Sequence, residues 1–211
     1  MSYKAVKRVL DILLSLILII ILSPLLLVIS LLISIGDGHS VFVKEPKRIG
    51  FKGKEFTMYK FRTMVPNAHQ IIRKGPQYEK WIKNEGKLKI AEDERITPIG
   101  KILRKTDLDE LPQLFNVLKN EMSLVGPRPM YLEEEERYLS KYPYGKKYVK
   151  RILRVKPGIT GLWQVSGRNS IKFKDRMIME AKYASHINIV TDIKILIKTP
   201  FVVLTRKGVY E

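Results

Sequence analysis

The 211-residue chain contains no cysteine and only three histidines, His39, His69 and His186. Without cysteine there is no disulfide and no thiolate zinc site. Three scattered imidazoles do not make a histidine-rich transition-metal centre, and each is read as a structural or surface residue. The metal chemistry left open is that of carboxylates, which suits a hard cation such as magnesium. Acid is scarce as well: 21 Asp and Glu stand against 39 Lys and Arg, a formal charge of +18. That excess points to nucleic acid, an anionic membrane face or phosphorylated substrates, although a basic solvated surface gives the same count. Internal repeats, low-complexity segments and interdomain linkers are also lacking. The length suits one domain, or a small domain with an anchor.

Residues 12–35 lack charge altogether and are almost all Leu, Ile or Val, broken only by Ser15, Ser23, Pro24, Ser30 and Ser34. As one straight helix they would reach about 36 Å at ~1.5 Å per residue, enough to cross a hydrocarbon core of roughly 30 Å. The run is too long for a cleavable signal, and Ser34-Ile35-Gly36-Asp37 is a poor cleavage site. Two features oppose a simple span. Pro24 lacks an amide hydrogen and kinks a helix, with Ser23 beside it able to bond a freed carbonyl. Both flanks are also basic: Lys4, Lys7 and Arg8 precede the run, and Lys44, Lys47, Arg48, Lys52 and Lys54 follow it. The first 35 residues hold three bases and one acid, leaving 36 bases against 20 acids in the remainder. The positive-inside rule then wants both ends in the cytoplasm. A re-entrant hairpin broken at Ser23-Pro24 satisfies it; a transmembrane helix with a tolerated proline is the competing reading. Either places the rest of the chain at a membrane surface.

After a turn at Gly36-Asp37-Gly38, a strand over 41–43, a basic turn over 47–54 and a strand over 55–64 suggest a small hairpin. Residues 66–89 read as helical, interrupted at Gly75-Pro76, with Tyr78 and Trp81 at the membrane interface or against the core. Helices are expected over 99–103, 110–119, 130–142, 144–155, 172–185 and 189–205, with a glycine-containing loop over 157–169. The last helix is amphipathic and could pack on the core or lie on the bilayer.

Four stretches could carry chemistry. In Arg104-Lys105-Thr106-Asp107-Leu108-Asp109-Glu110-Leu111-Pro112-Gln113, Pro112 is tolerated only near a helix start. That puts Asp109 and Glu110 at or just before a helix N-terminus, where they could hold magnesium, attack phosphorus or simply cap the helix. Lys60 and Arg62 fall on one face of a strand, as a phosphate grip or as the basic edge that blocks aggregation. Arg128 lies between two prolines in Ser123-Leu124-Val125-Gly126-Pro127-Arg128-Pro129, a phosphate fork or a rigid turn. The loop from Lys156 to Arg168 offers glycines for close backbone approach to a ligand, and Arg168 as a fixed charge. Trp163 could stack on a base or fill the core. No Walker loop and no GxGxxG is present.

Taken in order, these residues resemble the bacterial sugar transferase family, the small monotopic phosphoglycosyl transferases. The resemblance runs from about Lys7 to Thr199. It rests on Lys7-Arg8 with Asp11, Ser23-Pro24, Tyr59 to Met64, Asp93 with Arg95 to Thr97, Leu108 to Gln113, Ser123 to Pro129, Pro157 to Arg168, and Asp192. It implies an α/β (α+β, mostly helical) fold. Residues 1–36 would form the re-entrant membrane hairpin and residues 37–211 a catalytic domain on the cytoplasmic face of the bacterial inner membrane. It implies a ping-pong reaction in which Asp109 attacks the β-phosphate of a UDP-sugar, releases UMP and holds the phosphosugar covalently. Polyprenyl (undecaprenyl) phosphate then takes the phosphosugar, initiating a glycoconjugate. Magnesium would sit near Asp109 and Glu110, with Lys60, Arg62, Arg128 and Arg168 as phosphate or nucleotide contacts. Two places depart from the family pattern: Lys44 to Gly50, where Gln-x-Arg-x-Gly is usual, and Glu180, where Asp is usual. Neither is given a role. The sugar and the oligomeric state, a homo-oligomer included, are left open. The alternative from another class is a membrane-tethered basic nucleic-acid binder, for which no helix-turn-helix, zinc finger or RNA-binding signature is present.

Overall fold

The computed structural model describes residues 3–37, 40–43, 45–83 and 92–205. Gly38, His39, Lys44, the stretch leading to Lys89 and the Trp81 side chain lie outside the described residues. Helix α1 (Tyr3–Asp37) opens the chain, followed by four two-residue strands, β1 (Phe42–Val43), β2 (Arg48–Ile49), β3 (Glu55–Phe56) and β4 (Lys60–Phe61). Then come α2 (Ala68–Lys74), α3 (Tyr78–Lys83), α4 (Pro98–Thr106), a 3₁₀ turn (Leu108–Glu110), α5 (Gln113–Leu118) and β5 (Ser123–Val125). The chain continues through α6 (Leu132–Lys141), α7 (Lys146–Ile152), β6 (Gly158–Thr160), α8 (Leu162–Ser166), α9 (Phe173–Ser185) and α10 (Ile189–Leu204). The mixed, mostly helical class expected from the sequence is the one observed.

Helix α1 runs through Pro24 and on to Asp37, past the turn expected at Gly36. The expected break at Ser23-Pro24 is therefore not an interruption of the helix. Pro24 leaves the carbonyl of Ile20 without its usual amide, and the Ser23 hydroxyl donates to that oxygen at 2.8 Å. Asp11, Ser15, Ile29 and Ile33 face the body of the protein, while Ile20 is 70% exposed and Ile35 81%. So much uncovered apolar surface requires an apolar environment.

Both ends of α1 dock on the same body. At the start, the Lys7 ammonium meets Asp192 of α10 at 2.6 Å. Arg8 donates to the carbonyls of Val117 and Leu118 at 2.7 and 3.1 Å, capping the C-terminal end of α5. Asp11 accepts from the Ser123 hydroxyl at 2.8 Å and the Leu124 amide at 3.1 Å. Towards the other end, Ile29 and Ile33 pack with Phe61 and Leu103.

The expected strand over 55–64 is two strands with different partners: β3 pairs antiparallel with β2, and β4 antiparallel with β1. The side chain of Asn116 causes the division. It accepts the Tyr59 amide at 2.9 Å and donates to the Thr57 carbonyl at 2.7 Å, taking the backbone groups a continuous ladder would use. The loop expected over 157–169 contains β6 and α8. Gly158 and Gly161 admit the close approach of β5 to β6: a Cβ on Gly158 would fall 2.0 Å from the Gly126 nitrogen. The core has one cluster around Val117, Met122, Val125 and Ile195, and another joining α6, α7 and α9 through Tyr138, Val149 and Met177. Helix α10 packs Asp192, Ile195 and Val202 inward and leaves Ile193, Ile197, Phe201 and Leu204 exposed.

Asp11→Ala strands the Ser123 hydroxyl and the Leu124 amide, at a cost of about 1–3 kcal/mol. Thermal unfolding in detergent should show a midpoint lowered by several degrees, and Asp11→Asn, which keeps an acceptor, should recover part of it. Equal midpoints for all three proteins would show that the carboxylate does not hold α1.

Candidate active site

The 3₁₀ turn carrying Asp109 and Glu110 follows α4, which ends at Asp107 in a left-handed conformation (φ 55°). Pro112 precedes α5 as expected, so the two carboxylates sit just before a helix. That helix is only six residues long, and side chains supply the charge compensation. Lys60, at the start of β4, places its ammonium 2.5 Å from Glu110 Oε1 and 3.4 Å from Asp109 Oδ2. Arg128 Nη1 lies 3.3 Å from the same Glu110 oxygen. Glu110 is thus held by two cations and Asp109 by one, at a longer distance.

The pKa directions follow. Burial raises the Asp109 carboxyl above the usual carboxylate range; the Glu110 charge adds to that, and Lys60 offsets only part of it. Burial acts on Glu110 too, but there Lys60 and Arg128 together outweigh it and hold the carboxyl well below the usual range. For Arg128, burial is outweighed by Glu110 and then Glu134, so its pKa rises.

Arg128 is itself fixed from behind. Its amide donates to Glu180 Oε2 at 2.7 Å, and its carbonyl accepts from Arg176 Nη2 at 3.2 Å. The Arg176 guanidinium lies 4.8 Å from the centre of the Trp163 ring and that of Arg128 5.7 Å. Trp163 is buried, as the core reading has it. Glu180 and Arg176 back the candidate site; the sequence marks Glu180 only as a departure from the family pattern, without a role, and does not single out Arg176. Their spacing of four along a helix looks like an ordinary surface ion pair, yet both are buried.

Arg168, also left-handed (φ 51°), pairs through Nη2 with Asp107 Oδ2 at 2.6 Å. Arg62 is not brought to the carboxylates. Strand β4 ends at Phe61, so strand alternation does not carry it there, and Arg62 donates to the Ser40 carbonyl at 2.7 Å and hydroxyl at 2.5 Å. Lys60, Arg62, Asp109, Glu110, Arg128 and Arg168 all line one cleft of about 1760 Å³. Leu18 and Leu22 of α1 and Leu196 and Val203 of α10 line it too.

Among the described residues no three His, Asp or Glu side chains cluster as a ready metal cage. Two adjacent carboxylates without imidazole or thiolate suit magnesium, which commonly takes one or two carboxylates and completes its shell with water and substrate phosphate. The donor set therefore fits the expected ion.

Glu180 makes a stability prediction. Burial pushes its carboxyl up to about 7, against Arg176 and the Arg128 amide, which favour the charged form. The folded protein therefore keeps a proton that the unfolded chain has lost above a pH of about 4.3. Stability then falls as pH rises from the unfolded value to the folded one. In thermal melts from pH 5 to 8, Glu180→Gln should gain on the wild type as pH rises, because it keeps an acceptor for the Arg128 amide and carries no charge. Parallel curves would refute this.

Comparison with known proteins places the chain in a family. The family model for bacterial sugar transferases matches residues 2–206. An uncharacterized sugar transferase of Haemophilus influenzae is 43% identical over 100% of this chain and 43% of its own length. The undecaprenyl-phosphate galactose phosphotransferase of Salmonella typhimurium is 41% identical over 99% of the chain and 42% of its own length. The exopolysaccharide production protein ExoY of Sinorhizobium fredii is 38% identical over 97% of the chain and 88% of its own length. The chain thus spans less than half the length of the first two relatives and most of the third. The comparisons lend no support to the nucleic-acid alternative. With a family match across nearly its whole length, the chain belongs to the bacterial sugar transferases.

Proposed function

We propose that this chain is a phosphoglycosyl transferase that moves a sugar-1-phosphate from a UDP-sugar to undecaprenyl phosphate, releasing UMP and initiating a glycoconjugate such as an exopolysaccharide. One observation carries the reading. Asp109 is a buried carboxylate held by one distant cation, in a cleft that also has apolar walls from α1 and α10. The names of the Salmonella and Sinorhizobium relatives support it.

In the first step an Asp109 oxygen attacks the β-phosphorus, and the bond from that phosphorus to the bridging oxygen breaks. UMP leaves with that oxygen, and an aspartyl phosphosugar remains. In the second step an oxygen of undecaprenyl phosphate attacks the same phosphorus, and the aspartyl oxygen leaves. The products are a lipid diphosphate sugar and the free carboxylate. Lys60 offsets part of the effect of burial on Asp109 and so favours the attacking anion. Glu110, fixed between Lys60 and Arg128, holds both cations beside the diphosphate, and Arg168 supplies a further charge. Magnesium bound by Asp109 and Glu110 would neutralise phosphate oxygens.

The work is placed at the cytoplasmic face of the inner membrane, with α1 entering and leaving one leaflet. A helix that crosses a bilayer presents one end to each side, whereas α1 docks on the catalytic body near both ends.

With magnesium, UMP release from a UDP-sugar should be detectable, and chelation should abolish it. Asp109→Asn should yield no phosphosugar adduct by intact mass, and turnover should fall by at least about 10²-fold. An Asp109→Asn protein with full turnover would end the mechanism. Topology has its own check, because the chain lacks cysteine. Lys4→Cys and Gly36→Cys in sealed inverted vesicles should both react with an impermeant maleimide. Labelling of only one would mean that α1 spans.

A further inference from the structure

Past Arg128, the cleft contains a group of side chains that the proposed chemistry does not use. Strand β2 places Arg48 there with its side chain only 8% exposed. Its guanidinium carbon lies 3.1 Å from the centre of the Tyr131 ring. Its polar contacts are long: Nη1 is 3.4 Å from the Pro129 carbonyl and 3.8 Å from Glu134 Oε2. Buried guanidinium groups are ordinarily held by charge-assisted bonds of about 2.7–2.9 Å. Arg48 makes none among the described residues, and burial pulls its pKa down. A cation this buried, with most of its five donors uncommitted, is built for a ligand.

The neighbours indicate the kind of ligand. Glu134 Oε2 accepts the Tyr131 amide at 2.9 Å, which fixes both residues at the start of α6. The other cations close by are already matched: Arg95 grips Asp93 at 2.8 and 2.7 Å and Arg73 pairs with Glu133, while Arg48 only faces Glu134 at 3.8 Å. A second phosphate group here would meet three carboxylates. A flat base would find the face of Tyr131 covered by Arg48. An uncharged ring bearing several hydroxyls meets a carboxylate acceptor, a phenol and a fork of unused N–H donors, each able to read the position of a hydroxyl.

We propose that Arg48, Tyr131 and Glu134 form the subsite for the hexose of the donor and select the sugar through its hydroxyl groups. This rests on the reading of the cleft as a UDP-sugar site. The three residues line the same cleft as Asp109 and Arg128, and Arg48 is near enough to Arg128 and Glu110 for their charges to act on it, which puts the cluster beside the β-phosphate of the proposed donor. Arg48 falls in the segment where the family pattern is broken; with Gly50 it keeps the pattern's Arg and Gly, while Pro46 stands where Gln is usual, and the sequence reads it only as part of a basic turn.

The test uses the full chain in detergent with undecaprenyl phosphate, measuring UMP release from UDP-glucose, UDP-galactose and UDP-N-acetylglucosamine. Glu134→Gln keeps an acceptor for the Tyr131 amide, and Arg48→Lys keeps the charge without the fork. In each, the ratio of kcat/KM between the best and the second-best sugar should fall by about tenfold or more. Product inhibition by UMP should stay at its wild-type value. Equal loss on every sugar would overturn the proposal and make the cluster structural. Altered UMP inhibition with an unchanged sugar ratio would overturn it in favour of a nucleotide contact. A wild-type chain that releases no UMP from any UDP-sugar would instead remove the reaction itself, and the subsite with it.

Discussion

Two carboxylates adjacent in sequence cannot both be desolvated and charged without a cation against them. Lys60 meets that requirement, within 3.4 Å of both Asp109 and Glu110. Opposite charges about 4 Å apart attract by about 4 kcal/mol at an effective dielectric near 20, which offsets the cost of taking them out of water. The local architecture serves this contact. Pairing of β4 with β1 fixes where Lys60 starts. The left-handed Asp107 turns the chain out of α4 so that the next residues point into the cleft. Asn116 bends the chain just before Lys60 by holding the backbone of Thr57 and Tyr59.

The compensation is unequal, and the inequality separates the roles. Glu110 has Lys60 at 2.5 Å and Arg128 at 3.3 Å, and Arg128 is in turn fixed through Glu180 and Arg176. It is a locked anion whose ionisation costs nothing further. Asp109 has among the described residues only one ion pair, Lys60 at 3.4 Å, with Arg104 acting from farther off, so burial leaves its carboxyl raised. Neighbouring acids pushed apart in this way commonly divide a reaction between them. On the proposed reaction, the less satisfied oxygen is the nucleophile and the satisfied one organises charge around it.

Much of this site was legible because its chemistry lies in short runs. Asp109, Glu110 and Pro112 are close in sequence, and Arg128 stands between prolines. Lys60 was legible as a cation at the end of a strand, but its partners were not, since nothing local shows that β4 lies against the 3₁₀ turn. Arg62 shows where pattern reasoning fails. Alternation assumes the strand continues, and β4 ends one residue too soon. The glycines of the 156–168 loop read as room for a ligand, whereas the missing Cβ of Gly158 admits the backbone of Gly126. Asp11 and Asp192 stood out only through resemblance. In the fold they bolt α1 to β5 and α10, contacts separated by more than a hundred residues that no periodicity can announce.

The continuity of α1 through Pro24 bears on function more than a break would. An anchor attached by a loose linker would hold the catalytic body near the membrane and contribute nothing else. This one is fixed near its start by Lys7, Arg8 and Asp11 and farther on by Ile29 and Ile33, so its middle is held at a set position on the body. Leu18 and Leu22, in that middle segment, line the cleft that contains Asp109. The exposed apolar face of α10 lies on the helix that supplies the facing wall through Leu196 and Val203. On the proposed reaction, a polyprenyl chain would keep its tail against these leucines while its phosphate reaches the carboxylate. The energetic problem of drawing a long hydrocarbon into water then does not arise. Helix α1 is a wall of the cleft, and on the proposed reading it is also its tether to the membrane.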